Sequence, residues 1–196
     1  MFNFINKSFD WVVKWANSKY SLFALIIFSF LESSISPFPI DFLLTAMCLG
    51  NPRMSFVYAS LASLFSVLGG IFSYIIGYLF MESIGLFIIN FYGYGAEFES
   101  ISSSFRNYNF IATLISAFSP VPYKVFAIGA GTVSADFIEF LVASALGRSS
   151  RFLLNAFLFY VYGEKLKVYL EKYKFLLTFL FLLFLILGII LIGVFF

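Results

Sequence analysis

Two proline-broken apolar segments constrain this chain more than any other feature. The first runs Leu22–Leu31, ten residues without a charge, then Glu32-Ser-Ser-Ile-Ser-Pro-Phe-Pro-Ile-Asp41, then the apolar Phe42–Leu49. The second runs Phe110–Phe118, then Ser119-Pro-Val-Pro-Tyr-Lys124, then Val125–Val133. Both carry Ser-Pro-x-Pro-x-charge, 83 residues apart. Between them they hold Pro37, Pro39, Pro120 and Pro122, four of the five prolines. Proline lacks an N–H and its ring clashes with the preceding turn, so a helix stops at each motif. Ten helical residues rise about 15 Å, half of the ~30 Å hydrocarbon core, so no arm crosses a bilayer alone. Each segment is therefore two half-helices, either a re-entrant hairpin or one discontinuous span. Paired, Pro-interrupted short apolar segments point to a transporter-type repeat.

Composition says which solvent those arms meet. Hydrophobic residues make up 62% of the chain and charged ones 11%, against roughly 25% charged in soluble domains. A soluble domain of 196 residues could not bury that much apolar surface, so an integral membrane protein with one domain is expected. There is no histidine, which removes histidine bases, haem ligation and most zinc sites. The lone Cys48 supports neither an internal disulfide nor a thiolate metal cage. No metal and no cofactor is expected.

The rest of the chain divides around the two broken segments. Residues 1–19 read as an amphipathic interfacial helix: Phe2, Ile5, Phe9, Val12 and Ala16 recur at helical spacing, with Trp11 and Trp15 as anchors. Residues 20–52 form the first hairpin and 54–82 a transmembrane helix. Within that helix Ala59, Ser63, Ser66, Gly70, Ser73 and Gly77 form a stripe of small residues, read chiefly as a helix-packing seam. Residues 83–109 hold Tyr92-Gly-Tyr-Gly95, Glu82, Glu97, Glu99 and Arg106, and are expected to be a loop with a short interfacial helix. Residues 110–134 form the second hairpin. Residues 136–162 and 173–196 are two further transmembrane helices. The fold class is thus all-α, with two opposed re-entrant hairpins related as an inverted repeat, three full crossings and an interfacial helix. Lysine and arginine bias puts the N-terminus in the cytoplasm and the C-terminus outside. It gives the same balance whether the hairpins re-enter or cross, so it does not choose between three and five crossings.

Five charges fall where the apolar pattern predicts membrane: Glu32, Asp41, Lys124, Arg148 and Arg151. Each costs roughly 2.5–3.5 kcal/mol at a helix centre unless paired or watered. The bland readings are charges that snorkel to an interface and arginines neutralised structurally by the carboxylates. The functional reading is a polar cavity at the hairpin tips. Ser144, Arg148, Arg151 and Asn155, spaced 4, 3 and 4, share one helix face. Asp41 and Lys124 sit at equivalent repeat positions with opposite sign. If the tips meet, they can pair, or Glu32 can pair with an arginine. Three positive charges against two negative ones leave a surplus of +1. That surplus suits an anionic headgroup, and arginine holds phosphate bidentately. With no histidine, a proton path must use carboxylates, so Glu32 and Asp41 are the candidates for proton coupling.

At these residues the sequence resembles the DedA family, bacterial members of the VTT (SNARE-associated) superfamily, and within it the YqaA-like branch. The resemblance is carried by Glu32, Pro37-Phe-Pro39 and Asp41; by Gly69-Gly70, Tyr74 and Gly77; by Phe118-Ser-Pro-Val-Pro-Tyr-Lys124; by Gly129 and Gly131; and by Gly147-Arg-Ser-Ser-Arg151. It covers about residues 30–152. It implies two opposed re-entrant hairpins and movement of phospholipids or polyprenyl-phosphate carriers across the membrane, with proton coupling in some members. The chain departs from the pattern at Ala117 and Tyr123, where the family often has arginine. Lys124, Arg148 and Arg151 supply positive charge instead.

The expected function is therefore a translocase of undecaprenyl phosphate or phospholipid in a bacterial cytoplasmic membrane, not an enzyme. Substrate contacts are expected from Arg148, Arg151, Lys124, Ser119 and Tyr123. Pro37, Pro39, Pro120, Pro122, Gly70 and Gly77 are expected to shape the fold. Partners are a lipid-phosphate substrate and membrane lipids, with homo-oligomerisation left open and no nucleic-acid binding. The alternatives are an enzyme acting on polyprenyl pyrophosphate and a non-transporting assembly factor.

Overall fold

Each Ser-Pro-x-Pro motif interrupts a helix, as its prolines predict. In the computed structural model, which describes residues 20–36, 39–119 and 121–163, helix α1 spans Ser21–Ser34 and α2 spans Asp41–Gly50. These 14 and 10 residues rise about 21 and 15 Å, both short of a ~30 Å core. The Ile35 and Ser36 N–H groups both bond to the Leu31 carbonyl at 2.7 Å, which tightens the end of α1. Asp41 opens α2, where a carboxylate favours the positive end of the helix dipole. Pro39 lies in this break, and Pro37 lies outside the described residues.

Beyond a short 3-10 turn at Pro52–Met54, α3 spans Ser55–Phe80. A π-helical turn, Met81–Gly85, joins it to α4, Leu86–Tyr92. Pro52–Tyr92 is one continuous apolar helix of 41 residues with mean hydropathy 1.9, the one such stretch among the described residues long and apolar enough to cross a membrane. Its length is about 60 Å, twice the hydrocarbon core. It ends at Gly93, whose φ of 75° is the left-handed helix stop that the Tyr-Gly-Tyr-Gly turn implies.

The second arm corrects the sequence reading. Residues 83–109 are not a loop: apart from Gly93 and Tyr94 they are helical, and α5 spans Gly95–Phe118. The first half of this helix is masked in sequence by its polar residues. Phe98, Ser102, Phe105, Asn109, Thr113 and Ser116 nevertheless recur every three or four residues, and all turn inward. Arg106 and Glu99 pair at 2.6 Å on the exposed side. Ser119 then goes extended (φ −80°, ψ 171°), as the residue before a proline must. Pro120 lies outside the described residues, Pro122 precedes α6, and α6 spans Tyr123–Thr132.

The last helix, α7, runs from 137 through 163. Asp136 caps it, its Oδ1 accepting the Glu139 N–H at 2.8 Å. Its own hydropathy falls below that of a simple crossing helix because Arg148, Arg151 and Asn155 lie on its inner face.

The small-residue stripe of α3 is the packing seam. All six of its members are buried. The α1 helix lies along Ser66, Gly69 and Ser73, and α6 lies along Gly70 and Gly77. A Cβ at Gly77 would overlap the Ile128 carbonyl, and one at Gly131 would overlap the Tyr74 carbonyl. Only glycine permits so close a backbone approach. Two apolar clusters result. One joins Leu25, Leu44, Met47, Ala59, Phe152 and Ala156; the other joins Ala117, Tyr123, Ala127, Ala130 and Phe140. The polar side chains of α7 lie between them.

Exposure runs opposite to that of a soluble protein. Ser29, Ser33, Ser66, Ser73, Asn109, Thr113, Ser144 and Arg148 are buried, while Leu64, Leu68, Phe72, Ile75 and Leu79 of α3 point outward. An apolar exterior over a core that also buries polar side chains is stable when the surrounding solvent is lipid. The expected interfacial helix 1–19 and transmembrane helix 173–196 lie outside the described residues, as do the lysines at 165, 167, 172 and 174.

Candidate functional site

The inner face of α7 organises the site. Each residue of the 4-3-4 face engages another helix. Ser144 accepts the Tyr123 hydroxyl of α6 at 2.8 Å. Arg148 reaches Glu32 of α1 and Ser66 of α3. Arg151 reaches Asp41 of α2 and the Ser119 carbonyl at the end of α5. Asn155 donates to Thr45 of α2 at 3.4 Å. One periodic face thus ties together five other helices.

Arg148 is 1% exposed. Its Nη2 donates to Glu32 Oε2 and, at 3.2 Å, to Ser33 Oγ; its Nε donates to Ser66 Oγ. Ser33 and Ser66 share a hydrogen bond of 2.6 Å. The guanidinium carbon lies 5.3 Å from the centre of the Tyr123 ring and 4.8 Å from that of Phe152. Both aromatic faces attract the cation. A buried arginine left without a carboxylate would be costly, so Glu32 is its electrostatic counterpart.

The second pair is more open. Arg151 and Asp41 form a bidentate pair with side-chain exposures of 20% and 29%. Arg151 Nη1 also donates to the Ser119 carbonyl at 2.7 Å. Lys124 Nζ donates to the Ser36 carbonyl at 2.8 Å. Both carbonyls belong to the helix breaks, where the helical acceptor ladder has ended. Backbone that leaves a helix inside an apolar environment needs such partners. The two breaks therefore meet through the basic residues of α6 and α7.

The pairing is resolved in favour of the arginines. Asp41 pairs with Arg151, not with Lys124, and Glu32 pairs with Arg148. Among the described residues Lys124 makes no ion pair, so the surplus charge of the cluster falls on it. Gly70 admits Tyr123: a Cβ there would lie 2.8 Å from the ring's Cζ. Ser33 and Phe152 had no sequence signal as site residues. Ser33 is one serine among several near Glu32, and Phe152 is one of 30 phenylalanines. No cluster of three or more potential metal ligands occurs among the described residues.

Against known proteins, the VTT domain matches residues 37–161. An uncharacterized protein of Haemophilus influenzae is 32% identical over 164 residues, covering 84% of this chain and 85% of the relative. One of Histophilus somni is 29% identical over 167 residues, again covering 84% and 85%. No solved structure matches the chain.

Proposed function

Since the chain belongs to the VTT domain family, we propose that it is a multi-pass transporter of lipid phosphates, undecaprenyl phosphate or phospholipid, in a bacterial cytoplasmic membrane. The observation that carries this reading is the pair of arginine–carboxylate bridges where the two helix breaks meet, with Lys124, which makes no ion pair among the described residues, beside them. An arriving phosphate can replace a carboxylate on Arg151 without ever leaving the guanidinium unpaired, because both anions fit its two-pronged donor geometry. Lys124 adds attraction without a carboxylate to displace. The Tyr123 ring lies against the Arg148 guanidinium, and Ser119 fixes Arg151 through its carbonyl. On displacement from Arg151, Asp41 loses its partner cation. With no histidine in the chain, Asp41 and Glu32 are the candidate carboxylates for proton coupling.

In this reading the two broken segments are opposed re-entrant hairpins of an inverted repeat, with the N-terminus cytoplasmic and the C-terminus outside. The same residue matches support membership of the YqaA-like branch. The chain itself performs no covalent chemistry.

The test is a vesicle assay with purified protein. Undecaprenyl phosphate and a phospholipid are compared, each with and without a proton gradient. Movement of at least one lipid, accelerated by the gradient and lost in Arg151→Ala, is expected. Equal rates in empty and protein-bearing vesicles would remove the transport reading. Phosphate release from polyprenyl pyrophosphate would favour an enzyme instead.

A further inference from the structure

A groove of about 360 Å³ runs between α5 and α7. Leu114, Ile115 and Phe118 of α5 form its apolar wall, Ser119 closes one end, and Gly147 and Ser150 line it from α7. The helices approach closely at Gly147, where a Cβ would lie 2.6 Å from Ala117 Cβ. Ile115 and Phe118 are exposed on the same apolar exterior as Ile111 and Leu146. The groove thus opens sideways, toward the surroundings that those residues face.

Its polar end adjoins the ionic cluster. Ser119 lines the groove, and its carbonyl accepts the Arg151 guanidinium at 2.7 Å. Ser150 is the chain neighbour of Arg151, and Gly147 that of Arg148. The Arg151 side chain retains 20% exposure, so it remains reachable. An apolar slot that ends beside a partly open arginine has the polarity of one amphiphile, with its chain in the slot and its anionic head at the guanidinium. The volume lies at the small end of the roughly 300–1,000 Å³ range of ligand pockets, enough for part of a chain but not for a partner helix.

We infer that the α5–α7 groove is the seat of the substrate's hydrocarbon chain next to its phosphate, held at Leu114, Ile115 and Phe118 while the phosphate engages Arg151. This deepens the proposed transport reading and rests on it. The groove is a lateral entry site: the chain enters from the bilayer and stays in apolar surroundings while the headgroup reaches the partly exposed Arg151.

Photolabelling of the full chain in nanodiscs tests it. The probe is a lipid phosphate with a diazirine on the chain near the head, read out by peptide mass spectrometry alongside the vesicle assay. Labelling concentrated at 114–118 is expected, with at least tenfold competition by unlabelled lipid phosphate and none by an uncharged lipid of equal chain length. Ser150→Trp, which fills the groove from an exposed position, is expected to lower labelling at least tenfold while the protein melts at an unchanged temperature. Equal competition by the uncharged lipid would mean only bilayer lipid in contact and would overturn the inference. So would labelling elsewhere by a protein that does transport lipid phosphate. Head-dependent labelling at 114–118 without any translocation would uphold the groove and overturn transport.

Discussion

Arg148 and Glu32 pair across 116 residues of sequence, joining the middle of α7 to the end of α1. The arginine is 1% exposed and the glutamate side chain 20%. Removing one partner strands the other charge, at about 3–5 kcal/mol. Arg148→Ala is expected to lose that much stability in detergent unfolding. Glu32→Ala/Arg148→Ala is expected to lose less than the two single losses combined. Additive losses would mean that the pair is not coupled.

Arg151 and Asp41 are expected to respond differently. Their pair is partly open, so Arg151→Lys should change stability by about 1 kcal/mol or less. A lysine cannot hold Asp41 bidentately and also donate to the Ser119 carbonyl. Lipid transport in vesicles is expected to fall at least tenfold while melting barely moves. A fully active Arg151→Lys would show that the fork geometry has no role.

Lys124 separates charge from architecture. It has no carboxylate partner among the described residues, where its one hydrogen bond is to the Ser36 carbonyl. Lys124→Gln keeps a donor for that carbonyl and should cost at most about 1 kcal/mol. The half-saturating concentration of anionic lipid is expected to rise several-fold, with no such change for a zwitterionic lipid.

The glycines of the α3 seam give a graded series in thermal unfolding. Gly77→Ala and Gly131→Ala drive a Cβ into backbone carbonyls and are expected to be the most damaging. Gly70→Ala meets the Tyr123 ring, which can shift at the expense of its bond to Ser144. Its cost should be about 1–3 kcal/mol, in the range of overpacked cores. Gly95→Ala meets nothing within 4 Å and should be neutral, or stabilising by up to about 1 kcal/mol.

Sidedness is accessible by cysteine labelling. Cys48 is fully buried and should resist maleimide in the folded protein. In a Cys48→Ala background, a single cysteine at Ser104 is expected to react from outside intact cells if the hairpins are re-entrant. Reaction only after permeabilisation would put this part of α5 on the cytoplasmic side.

Much of this arrangement is determined locally and is legible in sequence. Proline chemistry alone sets both breaks, since a missing N–H and a ring clash need no tertiary context. Period places Ser144, Arg148, Arg151 and Asn155 on one face and the small residues of α3 on another. Composition specifies an apolar exterior. Where polar residues outnumber apolar ones, as in the first half of α5, the same period is present but hidden, because its inward positions include Ser102. Tertiary structure alone decided the pairing. Asp41 is 110 residues from Arg151, and two carboxylates facing three cations allow several pairings. Only the approach of α1 and α6 onto opposite parts of the α3 seam brings Glu32 to Arg148, Asp41 to Arg151, and Lys124 to a carbonyl. A buried charge takes the partner that the backbone carries to it, and that distance is a property of the packed helices, not of the residue order.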